Sequence, residues 1–547
     1  MTHKLLDISD LHIALPYGAD RPHAVEGLSI ALAQGETLCV VGESGSGKSL
    51  LGRAVMGLLP APHVHVDQGE INFNGEDIVK TSYDRLRQIR GSEISMIFQE
   101  PMTALNPVMT IGDQIDEIFR FHVDMPGKVR AQRSLKLLED VNLPDPVHIM
   151  AAYPHQLSGG QRQRAMIAMA LALDPKILIA DEPTTALDVT TQAQILKLIK
   201  DMQIAYNTGV LFITHDFGVV ADIADRVVVM QKGLVVETGT VEQVLNHPEH
   251  PYTKGLIAAV PRLQPRKARK RSDEVVLNVH QLNKTFGSER RLFGFGKSGR
   301  VVKAVQNVDL ELRRGETVGV VGESGSGKST LARCIIRLME NDSGKIILDG
   351  TDINELGRAA MRPWRAKIQM VFQDPFASLN PRIKVGDIIS QGPVIQGYSK
   401  AEARNTAMDL ISIVGLDERA YDRYPHEFSG GQRQRIGIAR ALALKPEILI
   451  ADEPVSALDV SIQAQILNLL DEIREQMNLS MIFITHDLRV AAQVCDQLAV
   501  MRYGEIVETG ATAELFAAPQ HSYTQALLAA VPGQDWKQEA QVDPAVA

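Results

Sequence analysis

The octapeptide G-E-S-G-S-G-K-S occurs twice, as Gly42–Ser49 and as Gly322–Ser329. Each copy follows a short apolar run and leads into a helical pattern (Leu50–Leu59 in the first copy), which is the context a phosphate-binding loop requires. Gly42, Gly45 and Gly47, and likewise Gly322, Gly325 and Gly327, let consecutive N–H groups wrap phosphate oxygens. Lys48 and Lys328 bring a charge to the β and γ oxygens, and Ser49 and Ser329 offer a hydroxyl to Mg²⁺. That chemistry is the binding of a nucleoside triphosphate.

Three further residue types recur in both halves at the ends of apolar runs. Asp181-Glu182 closes Ile177–Ala180, and Asp452-Glu453 closes Ile448–Ala451. There the aspartate can hold the metal shell and the glutamate can act as general base toward an attacking water. A D-E pair elsewhere is usually just solvated. His215 and His486 stand in I-T-H-D and can donate to a γ-phosphate. Gln99 and Gln373, in I-F-Q-E-P and V-F-Q-D-P, can reach a metal-bound water without adding charge. Finally, Leu157–Arg164 reads L-S-G-G-Q-R-Q-R and returns almost unchanged as Phe428–Arg435. Ser158 with Gln161 fits a capping box, followed at helical spacing by Met166, Met169 and Leu173. A helix start approached through Gly159 and Gly160 is a ready anion site.

The elements that must position these residues alternate between short strands and helices. Leu38–Val41, Ile177–Ala180, Val210–Thr214, Val318–Val321, Ile448–Ala451 and Met481–Thr485 are uninterrupted apolar or β-branched runs, as parallel strands buried on both faces require. Alternation with helices predicts an α/β layer architecture in both halves. Length alone, 547 residues, suggests three or four compact units, but the motifs narrow this to one unit written twice. Positions 42 and 322 lie 280 apart, whereas 158 and 429, 181 and 452, and 215 and 486 each lie 271 apart. The first copy therefore carries nine more residues between its loop and its L-S-G-G-Q.

The expected domains are 1–261, a linker 262–274, 275–533 and a polar, frayed tail from Gln534. The linker lies in a proline-bearing, basic stretch, P-R-L-Q-P-R-K-A-R-K-R, and reads as a solvated tether, with contact to anionic lipid headgroups the alternative. A second basic stretch, Gly287–Arg300, reads as a loop insertion with the same alternative. The net charge of −9 argues against nucleic acid as the main partner. Cys39, Cys334 and Cys495 are too scattered for a disulfide framework or a metal site and fit a reducing cytosol. No run reaches the roughly 18 apolar residues of a membrane span.

Along the chain, in both halves, the phosphate loop is followed by the glutamine, L-S-G-G-Q, the strand-end D-E, an A-L-D turn and the I-T-H histidine, and in that order they resemble the nucleotide-binding cassette of ABC transporters, two cassettes fused across nearly all of residues 5–532. The resemblance implies that each cassette carries an α/β core, an antiparallel β subdomain and a helical subdomain, with helical subdomains near 110–155 and 383–425. It also implies a head-to-tail pair in which each ATP lies between one loop and the other half's signature. One site would join Lys48, Ser49, Gln99, Asp181, Glu182 and His215 to Ser429, Gly430, Gly431 and Gln432; the other would join Lys328, Ser329, Gln373, Asp452, Glu453 and His486 to Ser158, Gly159, Gly160 and Gln161. Asp188 and Asp459 match the loop running between the sites, and both sets are intact, which implies two hydrolytic sites. Under the adenine the family places an aromatic ring, matched by Phe286 in the second half and by Tyr17, or less well His23, in the first.

More narrowly, H-P-Y-T-K-G-L-I-A-A-V-P at His250–Pro261 and H-S-Y-T-Q-A-L-L-A-A-V-P at His521–Pro532 resemble the oligopeptide/dipeptide/nickel importer ATPases, in particular the fused ATPases of microcin C-type and glutathione-type peptide importers. That implies an ATPase, peripheral on the cytoplasmic face of the inner membrane, with two transmembrane permease subunits and an extracytoplasmic solute-binding protein as partners and no nucleic acid. Several unfused relatives hold an iron–sulfur cluster behind H-P-Y; no cysteine lies near 250–275 or 521–547, so none is expected here. A ribosome-binding twin-cassette factor would bring a long charged helical linker, and a DNA-repair ATPase zinc-binding cysteines; the sequence offers neither.

Overall fold

The computed structural model describes residues 4–184, 187–267, 269, 272–287, 301–456, 458–534 and 536. Two compact units emerge. The first is built from residues up to Leu187, Thr191–Val260 and the segment from Pro532; the second from Asp188–Thr190 and Pro261–Val531.

In the first unit the apolar runs become a six-stranded sheet in the order Leu234–Thr240, Arg226–Gln231, Thr37–Val41, Gly209–Thr214, Ile177–Asp181, Ile94–Ile97. All neighbours are parallel except the Leu234–Thr240 edge. The second unit repeats this with Glu505–Ala511, Gln497–Arg502, Thr317–Val321, Ser480–Thr485, Ile448–Asp452 and Ile368–Val371. In each, a four-stranded antiparallel sheet (His23–Ala33, Lys4–Ala14, His65–Phe73, Glu76–Asp77; Val302–Arg313, Val275–Phe286, Ser343–Leu348, Thr351–Asp352) packs on one face.

The central parallel strands are buried at every position, and most of their residues are apolar or β-branched, because both faces are covered. The period of two divides each strand between two cores. In the second unit Ile448, Ile450, Ile482 and Ile484 pack with the antiparallel sheet's Leu277, Val279 and Val305. Leu449, Ala451, Met481 and Phe483 pack on the helical side with Ile436, Ile438, Ile466 and Leu470. That helical side carries Val385–Gln396 and Lys400–Ile413; its counterpart in the first unit carries Ile111–His122, Gly127–Asp140 and Pro146–Ala151.

Two expectations need correction. The linker is not a solvated tether. Leu263 packs on the second unit's core, the Arg266 N–H donates to the Ala492 carbonyl at 2.9 Å, and Arg266 and Arg269 both pair with Asp471. Arg269 also reaches Asp496 at 3.4 Å. Acidic partners on the second unit therefore take up arginines that composition assigned to water or lipid. At the other end, the Gly533 N–H donates to Asp222 at 3.0 Å and the Trp536 indole N–H to Asn246 at 3.0 Å, so the chain is held beyond the point where fraying was expected. The basic stretch after Gly287 lies outside the described residues. Among the described residues no helix is long and apolar enough to cross a membrane.

Candidate nucleotide site

Register brings the chemistry to one edge. Val41 pairs with Thr214, Asp181 with Ile213 and Ile97 with Ala180, so the four parallel strands end level and release Gly42, His215, Glu182 and Gln99 side by side. Val321–Thr485, Asp452–Ile484 and Val371–Ala451 pairings do the same for Gly322, His486, Glu453 and Gln373. The crevice beyond the carboxyl ends of such strands is where α/β sheets bind ligands.

The loops between strand and helix need their glycines. Gly42 sits at φ +149° and a Cβ there would lie 2.1 Å from the Met230 carbonyl oxygen; Gly47, at φ +103°, would meet the Ala24 carbonyl oxygen at 2.4 Å. The helix begins at Lys48, and its side chain, buried, turns back into the loop: Nζ donates to the Gly42 and Glu43 carbonyls at 2.7 and 2.8 Å. Lys328 does the same with Gly322 and Glu323 at 2.7 and 2.8 Å. Burial lowers the Lys328 ammonium below the ordinary lysine range, against the pull of Glu453 and Asp452. Such an ammonium gains by moving onto phosphate oxygens.

Ser49 Oγ donates to Asp181 Oδ1 at 2.9 Å, and Ser329 Oγ to Asp452 Oδ1 at 2.9 Å. A hydroxyl beside a carboxylate is the hard-oxygen pair that a small divalent cation accepts. Burial pushes both aspartic carboxyls up, opposed by the serine hydrogen bonds. The next residue, Glu182 or Glu453, lies in the left-handed region at φ 46° or 45°, a conformation of about 1 kcal/mol or more for a non-glycine residue. Backbone bonds from Glu182 N to Ile213 O and from Glu453 N to Ile484 O, both 2.9 Å, hold that turn.

The turn delivers the glutamate to two partners. Gln99 Nε2 donates to Glu182 Oε2 at 2.8 Å, and His215 Nδ1 lies 3.2 Å from Glu182 Oε1. Gln373 and His486 reach Glu453 Oε2 at 2.8 and 3.2 Å. Sequence reading aimed the glutamine at a metal-bound water and the histidine at phosphate; in both units they turn onto the glutamate. Burial alone would raise the Glu453 carboxyl, but His486 holds it below its usual range; conversely burial alone would lower His486, and Glu453 holds it above.

A titration follows. Stabilisation from a raised histidine is complete below the ordinary value of 6.5 and is lost as pH rises through the higher folded value. In the nucleotide-free chain, NMR should place the His486 midpoint above 6.5, identified by subtracting a His486→Asn spectrum. In Glu453→Gln the midpoint should fall below 6.5, since burial remains without its partner. An unmoved midpoint would contradict the pairing.

The signature residues use their side chains locally. Ser158 Oγ accepts from Gln161 N at 3.3 Å while Gln161 Oε1 accepts from Ser158 N at 2.9 Å; Ser429 and Gln432 repeat this at 3.4 and 3.1 Å. The capping boxes thus form as read, although the first helix, Gly159–Ala170, stops before Leu173. Gly160 and Gly431 sit against Thr191 and Ile462. Tyr17 is fully exposed, and Phe286 is partly exposed with the Lys284 ammonium 5.9 Å from its ring.

Two residues were missed. Gln163 is 3 % exposed and donates to the Pro183 carbonyl, tying the signature helix to the glutamate turn of its own unit. Arg21 donates to the Gly45 carbonyl on the phosphate loop and to the His23 carbonyl. Arg21 belongs to no motif weighed from sequence, whereas Gln163 lies inside Leu157–Arg164 but was given no role there; a polar residue on the buried stripe of a helix was the available signal for it.

The family model described as ABC transporter matches residues 25–185 and 305–456. This chain belongs to the ABC transporter ATP-binding family. It carries two fused ABC cassettes of α/β fold, it binds ATP, and it is an ATPase. A second model, the oligopeptide/dipeptide transporter C-terminal region, matches residues 236–289 and 507–545, once after each cassette. The peptidoglycan transport ATP-binding protein YejF of Agrobacterium fabrum is 49% identical over 535 residues, covering 97% of this chain and 96% of that protein. The glutathione import ATP-binding protein GsiA of Salmonella typhimurium is 47% identical over 562 residues, covering 97% and 90%. A solved dimeric ATP-binding cassette in a post-hydrolysis state with ADP and Pi matches at 30% identity and TM-score 0.39, covering 43% of this chain and 98% of that one.

Proposed function

We propose that this ABC ATPase powers uptake of peptides or a peptide-like solute across the cytoplasmic membrane. It works from the cytoplasmic face, bound to two transmembrane permease subunits, with an extracytoplasmic solute-binding protein delivering the solute. The observation that carries this reading is the oligopeptide/dipeptide C-terminal region after both cassettes, in a chain whose relatives named for peptidoglycan transport and glutathione import match it over 97% of its length.

The cassettes are 1–261 and 275–533, joined by 262–274, with the tail from 534. They pair head to tail. Lys48 and Lys328 bind the β and γ phosphates, and loop N–H groups wrap them. Ser49 with Asp181, and Ser329 with Asp452, would hold Mg²⁺, helped by Gln99 and Gln373. The ion would supply neutralisation of phosphate charge during transfer to water. Glu182 and Glu453 take the proton of the attacking water, and His215 and His486 orient them and reach the γ-phosphate. Each signature covers the nucleotide on the other cassette, so ATP holds the pair together and hydrolysis releases it. Tyr17 and Phe286 are the adenine-stacking candidates. The helical subdomains receive the membrane subunits.

The test is co-expression with candidate permease and binding-protein subunits, followed by purification and uptake of labelled di- and tripeptides and glutathione into proteoliposomes. ATP-dependent uptake lost in Lys48→Ala/Lys328→Ala is expected. Retention of ribosomes or DNA through a salt wash, without membrane subunits, would sink the proposal.

A further inference from the structure

In each unit the peptide group that opens the phosphate loop is gripped from both ends. The carbonyl of the Gly42–Glu43 peptide accepts from Lys48 at 2.7 Å, and its N–H donates to the Tyr252 hydroxyl at 3.2 Å, 209 residues further along the chain. The Gly322–Glu323 peptide is held in the same way, by Lys328 at 2.7 Å and by the Tyr523 hydroxyl at 3.1 Å, 200 residues on.

Both tyrosines are aimed by the same scaffold. Glu237 accepts the N–H groups of Glu249 and His250 at 2.7 and 3.2 Å; Glu508 accepts those of Gln520 and His521 at 2.7 and 3.1 Å. His250 Nδ1 then accepts the Tyr252 N–H at 3.2 Å and caps the helix Pro251–Ala259, and His521 Nδ1 accepts the Tyr523 N–H at 3.1 Å and caps Ser522–Ala529. In the H-x-Y triplet the histidine therefore fixes the helix start and the tyrosine reaches the loop. The local settings differ, since Arg502 lies 4.6 Å over the Tyr523 ring, yet the hydrogen bond recurs.

We infer that Tyr252 and Tyr523 are positioning residues for ATP: each hydroxyl holds the first peptide plane of its phosphate loop while the lysine leaves that plane for the phosphates. When Nζ moves to phosphate oxygens, the Gly42 or Gly322 carbonyl loses its donor, and glycine gives the plane little resistance to turning. A second grip from outside keeps the loop's N–H groups convergent, which lowers the ordering cost of binding. The Tyr523 hydroxyl stays protonated through neutral pH, with burial pushing it up to about 12. The inference rests on the nucleotide site proposed above.

The test uses the full-length chain with Tyr252→Phe and Tyr523→Phe together, which keeps both rings and removes only the hydroxyls. The ATP concentration for half-maximal hydrolysis should rise about fivefold, the loss of roughly one net hydrogen bond at each site, while turnover at saturating ATP stays near parental. A lowered melting temperature without nucleotide, combined with unchanged half-saturation, would overturn the inference and leave the tyrosines as ordinary packing. Hydrogen exchange on the unaltered chain gives a reading free of any folding defect. The Glu43 and Glu323 amides should be protected both without nucleotide and with ATP, and unprotected exchange without nucleotide would also overturn it. Lys48→Ala/Lys328→Ala separates the two proposals. If ATP affinity survives that change, the nucleotide site itself is misassigned; if it collapses while Tyr→Phe has no effect, only the tyrosine role fails.

Discussion

Replacing Glu182 and Glu453 together by glutamine should lower steady-state ATP turnover by about 10²–10⁴-fold, the usual contribution of a general base, while ATP binding persists. The substitution keeps the shape of the side chain and removes its capacity to accept a proton. Its geometry favours a clean result. Each glutamate is delivered by a left-handed turn closed by a backbone bond, so the backbone that presents the side chain does not depend on its charge. Gln99 and Gln373 donate to the glutamates from the neighbouring strand end, and a glutamine there still offers them a carbonyl oxygen. Retained nucleotide is measured by filter binding and turnover by phosphate release. Hydrolysis at the parental rate in the double variant would remove these residues from the role of base.

The second large effect comes from crossed pairing. If each signature serves the other cassette's ATP, Lys48→Ala combined with a disabled second signature damages one site twice and leaves the other whole. Lys48→Ala combined with a disabled first signature damages both. The choice of signature residue matters. A Cβ on Gly431 would lie 2.4 Å from the Ile462 Cγ2, so a substitution there disturbs its own unit. A Cβ at Gly159 has open space, and one at Gly430 meets only Leu458 at 3.8 Å and Phe376 at 4.0 Å. An aspartate at either position is also compatible with a helix N-terminus and places a negative charge where phosphate would approach. Lys48→Ala/Gly430→Asp should keep about half of the parental nucleotide trapping, and Lys48→Ala/Gly159→Asp almost none, since like charges in close contact cost several kcal/mol. Equal residual trapping in the two pairs would contradict the head-to-tail arrangement.

Much of each site was legible because its parts are local. The phosphate loops announce themselves through glycine spacing, and the capping boxes Ser158–Gln161 and Ser429–Gln432 close within one helical turn. The strands that carry Asp181, Glu182 and His215 are uninterrupted apolar runs, which a doubly covered sheet demands. Composition misled where partners are remote: Arg266 and Arg269 read as solvated because Asp471, 205 and 202 residues away, carries no mark of its role in the sequence.

That the chain is one nucleotide-binding unit written twice, with each motif at the end of a strand or the start of a helix, is plain from the order of its residues. Periodicity and backbone conformational limits act over a few residues, so they can be read in order. How the motifs meet within each unit emerges from the folded chain alone. Strand order in the sheet does not follow the chain, so Ser49 finds Asp181 132 residues later, Gln99 finds Glu182 83 residues later, and Tyr252 closes on Glu43 from the far end of its cassette. Those contacts are set by register and packing across the sheet's edge, where side chains distant in sequence are brought within a hydrogen bond of each other.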